Sequence, residues 1–197
     1  MSSKLRQKKN VKTNTGGTSP AGGRVQMTEK QRQKNRRLMI LSILAIIAGV
    51  ILSFNQSVNN EYAGACTWQE TARTDAAALK TASEDLLNSQ KTGTIADSGA
   101  VKALKEASER ISDDAGIPEL YTAVLDLKEA VSLVTEEAER SSVDLASEIK
   151  TVSDAAEKTE KALVAANEAA KAFNEMCTKL PHKLFAETMG LSMMETW

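Results

Sequence analysis

The sequence predicts an all-α membrane protein, with a single N-terminal transmembrane helix followed by a helical domain outside the membrane. Three observations indicate this fold class. Residues 38–60 carry no charged side chain, and residues 119–180 contain neither glycine nor proline. No stretch shows the sustained alternation of apolar and polar residues that is typical of a half-buried strand. For the outer domain, both an up-and-down four-helix bundle and a long antiparallel coiled-coil hairpin fit the pattern.

Residues 1–37 form a basic segment. They contain eleven lysines and arginines and one acidic residue, for a net charge of +10, whereas the rest of the chain has 14 basic and 25 acidic residues. The segment is rich in Gly, Ser, Thr and Asn, which predicts disorder. Attraction to anionic lipid explains the charge without nucleic acid; a specific cytoplasmic partner is the alternative. Three of the basic residues, Lys34, Arg36 and Arg37, directly flank the membrane segment.

The transmembrane anchor is predicted over residues 38–56. Its apolar run, Leu38–Phe54, spans roughly 25 Å as a helix, slightly less than the ~30 Å of a hydrocarbon core. A buried core helix should have a polar face, and this run is apolar all round. Because positively charged flanks stay in the cytoplasm, we expect a single-pass cell-membrane protein with a cytoplasmic N-terminus and an extracytoplasmic C-terminal domain.

Residues 57–66 are interpreted as a linker that ends in EYAGAC. Ala63-Gly64-Ala65 offers small residues to a signal peptidase, and Cys66 is a potential lipid attachment site. The apolar run is longer than the 7–15 residues of an ordinary signal peptide, and the residues after it are too polar to continue it. We therefore predict an uncleaved anchor, with cleavage and lipidation as alternatives.

The outer helical domain is predicted over residues 67–180. Thr67-Trp68-Gln69-Glu70 has the form of a capping box, which indicates a helix start. A second helix is indicated by Val101, Leu104 and Ile111 and is expected to end near Gly116. Pro118 suits the first turn of a third helix. From Leu145 an apolar stripe with three- and four-residue steps continues to Leu180, interrupted only at Thr159.

The stripe changes phase at Arg140-Ser141-Ser142, which predicts a kink or a tight turn with Ser142 as a helix cap. Cys66 and Cys177 are the only cysteines. Both lie outside the membrane in the predicted topology, so a disulfide is expected, and two unrelated thiols are the alternative. In the chain-entropy model such a bond contributes ~4–5 kcal/mol. A hairpin that turns at Gly116-Ile117-Pro118 would bring the two cysteines together, whereas a four-helix bundle leaves the last helix too long for that pairing.

No residue pattern predicts an enzyme or a cofactor site. The chain shows no nucleophile with an acid–base partner, no metal-ligand spacing and no phosphate-binding loop. His182, the only histidine, lies between Pro181 and Lys183 and is interpreted as a solvated loop residue.

The tail, residues 181–197, is apolar and rich in methionine, whose flexible side chain adapts to irregular surfaces. We predict that it docks on a partner protein or on the bilayer; folding back onto the helical domain is the alternative. The predicted docking residues are Leu184, Phe185, Met189, Leu191, Met193, Met194 and Trp197.

The stretch KNRRLMILSILAIIAGVILSF, followed by a helical domain with Cys66 and Cys177, resembles the small single-pass accessory subunits of actinobacterial envelope and respiratory complexes, such as those of the cytochrome bcc–aa3 supercomplex. This resemblance implies a stabilising or assembly role without a redox centre. We therefore expect a non-catalytic subunit that binds a larger membrane protein complex. A membrane-anchored sensor or signalling adaptor, and a self-associating envelope coiled coil, are the alternatives.

Overall fold

The computed structural model describes residues 28–96 and 98–197, and all regular structure within them is helical. The all-α prediction is therefore confirmed. Disorder is predicted for residues 1–37. Of these, residues 1–27 lie outside the described part of the chain, and the prediction was wrong for residues 29–37, which are the first residues of a long helix. The helices are α1 (Glu29–Asn88), α2 (Gln90–Gly93), α3 (Gly99–Glu109), α4 (Ile117–Arg140), α5 (Ala146–Thr178) and α6 (His182–Thr188).

The chain divides into two compact units, Met1–Ile46 and Ile47–Trp197. In the first unit the described residues are exposed, including the apolar side chains from Leu38 onward. The flanking basic residues Lys34, Arg36 and Arg37 are exposed as well. By length and composition α1 is able to cross a membrane, and none of its most apolar window is buried.

Helix α1 passes without a break through the predicted linker 57–66, so the helix start predicted at Thr67 was wrong. The Thr67 hydroxyl donates to the carbonyl of Ala63 at 2.9 Å, a bond made within a helix rather than at its start. The polar residues after Phe54 do not end the helix because one face remains buried, at Val58 and Ala65.

In the second unit, α1, α3, α4 and α5 surround one apolar core, here called the upper core. Its largest fully buried side chains are Leu79, Leu86, Leu104, Leu120, Val124, Leu127, Val134, Leu145, Val152 and Leu163. The contacts between neighbouring helices are Ser83–Ser108 (2.7 Å), Arg110–Asp126 (2.5 Å), Lys128–Glu160 (2.6 Å) and Thr159–Asp75 (3.1 Å). Each pair is antiparallel, so the fold is an up-and-down four-helix bundle and the long hairpin is excluded.

The turn predicted at residues 140–142 is present, but Ser142 does not cap the next helix. It follows α4 in the left-handed conformation, with φ of 57°. The Val143 N–H donates to the Ala138 carbonyl at 2.9 Å, and the Ser142 N–H donates to the Glu139 carbonyl at 3.2 Å. These two bonds form a Schellman motif, which ends α4 by satisfying carbonyls that have no partner within the helix.

Helix α5 extends beyond the four-helix bundle, toward the end of the unit where α1 is most apolar. There a second cluster, the lower core, joins α1, α5 and α6 around Val58, Phe173, Cys177 and Ala186. Partly buried side chains that pack against it are Tyr62, Met176, Phe185, Met189, Leu191 and Met194. The extra length of α5 is therefore covered by α6 and the tail.

Candidate interaction site

The start of α6 packs on Phe54, the last residue of the apolar run of α1. The His182 ring meets Phe54 edge-on, with ring centres 5.0 Å apart, and Phe185 stacks on Phe54 at 6.0 Å. His182 is half-buried, and its Nδ1 has no hydrogen-bond partner in the described part of the chain. The interpretation of His182 as a solvated loop residue was wrong, because α6 begins at this residue and lays its ring against Phe54.

The centre of the lower core is Phe173, which is fully buried. The ring of Tyr62 approaches it from α1, with ring centres 5.3 Å apart and planes inclined by 60°. Val58, one turn earlier on α1, and Cys177, one turn later on α5, are buried in the same cluster. An edge-to-face pair between two helices adds specific geometry to the burial of apolar area.

The predicted disulfide is not present: Cys66 and Cys177 are both free thiols. The register between the antiparallel helices α1 and α5 explains this. The Thr159 hydroxyl bonds the Asp75 carbonyl, so Cys177 faces α1 near Ser57, roughly 14 Å along the helix axis from Cys66. A disulfide requires Cα atoms within about 7 Å of each other. The entropic stabilisation expected from the bond is therefore absent.

The two thiols differ in burial. Burial raises the pKa of Cys177 above its ordinary value, which keeps the thiol protonated. Cys66 is half-buried, one turn after Tyr62 on α1. The hydrogen bond between these two side chains is the main cause that raises the pKa of Tyr62. Cys177 therefore acts as a packing residue of the lower core.

Two asparagines of α5 hold the backbone of the tail. Asn174 donates from Nδ2 to the Met194 carbonyl at 2.8 Å and accepts at Oδ1 from the Met194 N–H at 2.9 Å. Asn167 accepts from the Trp197 N–H at 3.1 Å, and its Nδ2 lies 3.4 Å from the Trp197 carbonyl. Each amide side chain thus satisfies both backbone groups of one tail residue, as a neighbouring strand would.

The spacing of these bonds fits an extended tail that lies along α5. Asn167 and Asn174 are two helical turns apart, which is about 10.5 Å along the axis. Met194 and Trp197 are separated by about 10 Å if the chain between them is extended. The two lengths agree, so one straight segment reaches both asparagines without a bend.

Side-chain contacts also fix the tail. The Trp197 ring stacks on Tyr121 of α4, with ring centres 4.7 Å apart and planes 18° from parallel. Gln69 of α1 donates from Nε2 to the sulfur of Met194 at 3.8 Å. The tail therefore touches α1, α4 and α5 and bridges three of the four long helices of the second unit.

Helix α6 ends in a geometry that directs the chain into this tail. Gly190 has φ of 70°, a conformation that glycine adopts without strain. The Leu191 N–H donates to the Ala186 carbonyl at 3.0 Å, as in a Schellman motif. Leu191 is thereby turned toward the lower core.

The structure divides the seven predicted docking residues into two groups. Five pack on the protein itself: Phe185, Met189, Leu191 and Met194 in the lower core, and Trp197 on Tyr121. The other two point outward, Leu184 with 57% and Met193 with 62% of its surface exposed. The tail thus folds back onto the helical domain, and docking by its outward side chains stays a prediction.

Sequence reasoning missed the residues that hold the tail, namely Asn167, Asn174, Tyr121 and Gln69. One signal was available. Two asparagines seven residues apart, each directly after an apolar stripe position, lie on one side of a helix near its buried face. An amide there must find a hydrogen-bond partner, which indicates a backbone segment that packs against it.

In residues 28–96 and 98–197, no group of three or more His, Cys, Asp or Glu side chains is arranged to hold a metal ion. No protein-family model matches the chain, and no curated protein or solved structure is significantly similar to it.

Proposed function

We propose that the protein is a non-catalytic accessory subunit that binds a larger membrane protein complex through the outward face of its tail. Helix α1 anchors it in the cell membrane through residues 38–56, with the basic N-terminus in the cytoplasm and the helical domain that follows the anchor outside. From the resemblance of the sequence, we propose an actinobacterial envelope or respiratory complex as the partner. In this proposal the exposed apolar side chains of α1 contact lipid, and the exposed Met193 of the tail contacts the protein partner.

One observation carries the proposal: an exposed methionine on a fixed backbone. Met193 is 62% exposed, yet the next residue is held by both hydrogen bonds of Asn174. A side chain on a backbone already ordered in the free protein loses little further conformational freedom on binding. Met is enriched at protein interfaces, and its flexible thioether adapts to the surface of a partner.

A tryptophan of α1 lies close to this part of the tail. Trp68 is half-exposed and precedes Gln69, which contacts Met194. Tryptophan is enriched among the residues that contribute most to binding energy. Trp68 and Met193 together therefore define the proposed partner surface.

The test is a pull-down of the full-length protein in mild detergent, with the co-purified proteins identified by mass spectrometry. Met193→Asp and Trp68→Asp place a charge in the proposed surface, at side chains that are 62% and 46% exposed. We expect the recovery of one discrete membrane complex to fall at least tenfold, since burial of an unpaired charge is strongly unfavourable. The matched control is Leu133→Asp, an exposed apolar position on α4, which should leave recovery unchanged.

Two results would contradict the proposal. Recovery of the protein alone would favour a self-associating envelope protein, which size-exclusion chromatography would show as an oligomer. Equal loss of the partner with Leu133→Asp would show that the surface lies elsewhere.

The signalling alternative is favoured by the net charge of +10 in residues 1–37. Deletion of Ser2–Arg24 separates the two functions. An accessory subunit should still recover its complex after this deletion, whereas an adaptor that binds a cytoplasmic partner should lose that partner.

A further inference from the structure

The turn between α5 and α6, residues 178–184, lies beside the point where the apolar run of α1 ends. Phe54 is the last residue of that run, and it contacts both His182 and Phe185 of α6. Helix α5 ends beside Phe54, and α6 begins there. If α1 spans the membrane as proposed, the α5–α6 turn is the part of the outer domain beside the membrane surface.

The outward side of this turn is apolar. Leu180 is 72% exposed, the largest value among the exposed large apolar side chains of the described chain, and Leu184 is 57% exposed. The inward side is filled by His182 and Phe185 against Phe54. The two leucines are therefore not part of the protein core.

The charges of the turn differ from those of the rest of the domain. No Asp or Glu occurs from Met176 to Ala186, although the chain after residue 37 has 25 acidic and 14 basic residues. The turn carries two exposed lysines, Lys179 and Lys183.

Each of these lysines pairs with a glutamate one helical turn farther from the turn. Lys179 binds Glu175 at 2.6 Å, and Lys183 lies 4.0 Å from Glu187. The tip of the turn is therefore basic, and the carboxylates of both pairs are set back from it.

We propose that the α5–α6 turn rests in the headgroup layer of the bilayer that α1 crosses, as a second membrane contact of the protein. Leu180 and Leu184 enter the boundary between headgroups and acyl chains, and Lys179 and Lys183 meet the phosphates of anionic lipids. This inference rests on the membrane anchoring in the proposed function. In this arrangement the turn contacts lipid, and Met193 and Trp68 contact the protein partner. Two contacts fix the tilt of the outer domain, which a single helix would leave free.

The test uses the full chain, reconstituted at one copy per nanodisc in an equimolar mixture of phosphatidylcholine and phosphatidylglycerol. A nitroxide is attached to a cysteine introduced at Leu180, at Ala45 within the apolar run, or at Leu133 on α4. The background carries Cys66→Ser and keeps the buried Cys177, and the background protein alone should take up no label. Power-saturation EPR then compares the accessibility of each label to oxygen and to a water-soluble nickel chelate.

We expect the oxygen-to-nickel accessibility ratio at position 180 to be several-fold higher than at position 133 and lower than at position 45. In the double variant Lys179→Gln, Lys183→Gln, the ratio at position 180 should fall toward the aqueous value in the anionic nanodiscs. In nanodiscs of phosphatidylcholine alone, the same double variant should cause no change, because the lysines have no anionic lipid to bind.

A label at position 180 as aqueous as that at position 133, with a deep label at position 45, would overturn the lipid contact and leave the anchor intact. Aqueous labels at both 45 and 180 would instead overturn the membrane anchoring on which the proposed function depends. A label at position 180 that is aqueous at one copy per nanodisc, with dipolar broadening of its spectrum at two or more copies per nanodisc, would show that a second copy of the chain, rather than lipid, covers the turn.

Discussion

The upper and lower cores of the second unit are built from different residue types. The buried side chains of the upper core are mainly Leu, Val and Ala, and within the described chain none of them is an aromatic ring. Six of the seven aromatic residues instead form three ring pairs along the lower core and the tail: Phe54–Phe185, Tyr62–Phe173 and Tyr121–Trp197.

The number of surrounding helices explains this difference. Four helices enclose the upper core on every side, so small and aliphatic side chains fill it. Two long helices do not enclose a core by themselves, so α6 and the tail complete the lower one. The tail forms no helix or strand over residues 191–197, and its backbone depends on the amides of Asn167 and Asn174. The lower core therefore depends on large rings and on side-chain hydrogen bonds to the tail backbone, whereas the upper core is filled mainly by aliphatic side chains of packed helices.

The largest expected effect comes from Phe173→Ala, which removes the central ring of the lower core. The free energy of unfolding should fall by about 3–5 kcal/mol, the usual range when a buried phenylalanine is replaced by alanine. If the two cores are separable, hydrogen–deuterium exchange should show lost protection in α6 and the tail, with α3 and α4 unchanged. Leu127→Ala, in the upper core, should reduce protection throughout the second unit. Equal loss in α3 and α4 with Phe173→Ala would show that both cores unfold as one.

A smaller effect is expected from Asn174→Ala, which leaves the N–H and carbonyl of Met194 without their partner. The tail should be destabilised by about 1–3 kcal/mol, and Trp197 should become more accessible to acrylamide in a Trp68→Phe background. Asn167→Ala should act in the same direction but more weakly, since its bond to the Trp197 carbonyl is longer, at 3.4 Å. Lys171→Ala, an exposed position between them on α5, is the control and should have no effect. Unchanged quenching with Asn174→Ala would contradict the conclusion that Asn174 holds the tail on α5.

The smallest effect concerns pH. The pKa of Glu148 is lowered from its ordinary value of 4.5, chiefly by a backbone hydrogen bond and then by Lys91, with which it forms an ion pair at 3.1 Å. The pKa of Glu175 is lowered by Lys179 in the same helix. A carboxylate whose pKa is lower in the folded state stabilises the fold above its unfolded pKa, and that stability is lost as the pH falls through the folded value.

Stability should therefore decrease as the pH falls below about 4.5. Glu148→Gln should weaken the pH dependence of the free energy of unfolding, measured with urea, because the Lys91–Glu148 pair joins α5 to α2. Glu175→Gln should change it less, because its pair with Lys179 lies within the last turn of α5. An equal flattening by both variants would contradict the distinction between a pair that joins two helices and a pair within one.

Much of the fold could be predicted from local patterns. The apolar stripe of α5 is buried at Leu163, Ala166, Ala170 and Phe173, as its spacing predicts. The exception, Thr159, is also fully buried, because its hydroxyl bonds the carbonyls of Asp75 and Ala155. A polar residue in the stripe therefore marked a contact between helices rather than an interruption.

The sequence by itself determined the all-α class, the long apolar helix, and the helix boundaries near Pro118 and Ser142, because apolar periodicity and turn residues act over a few neighbouring positions. Only the tertiary structure decided that α1 continues through residues 57–66, that Cys66 and Cys177 lie too far apart to join, and that the tail folds along α5. Each of these depends on the register between segments at least 20 residues apart. That register is set by the fit of whole helix faces, which no local pattern specifies.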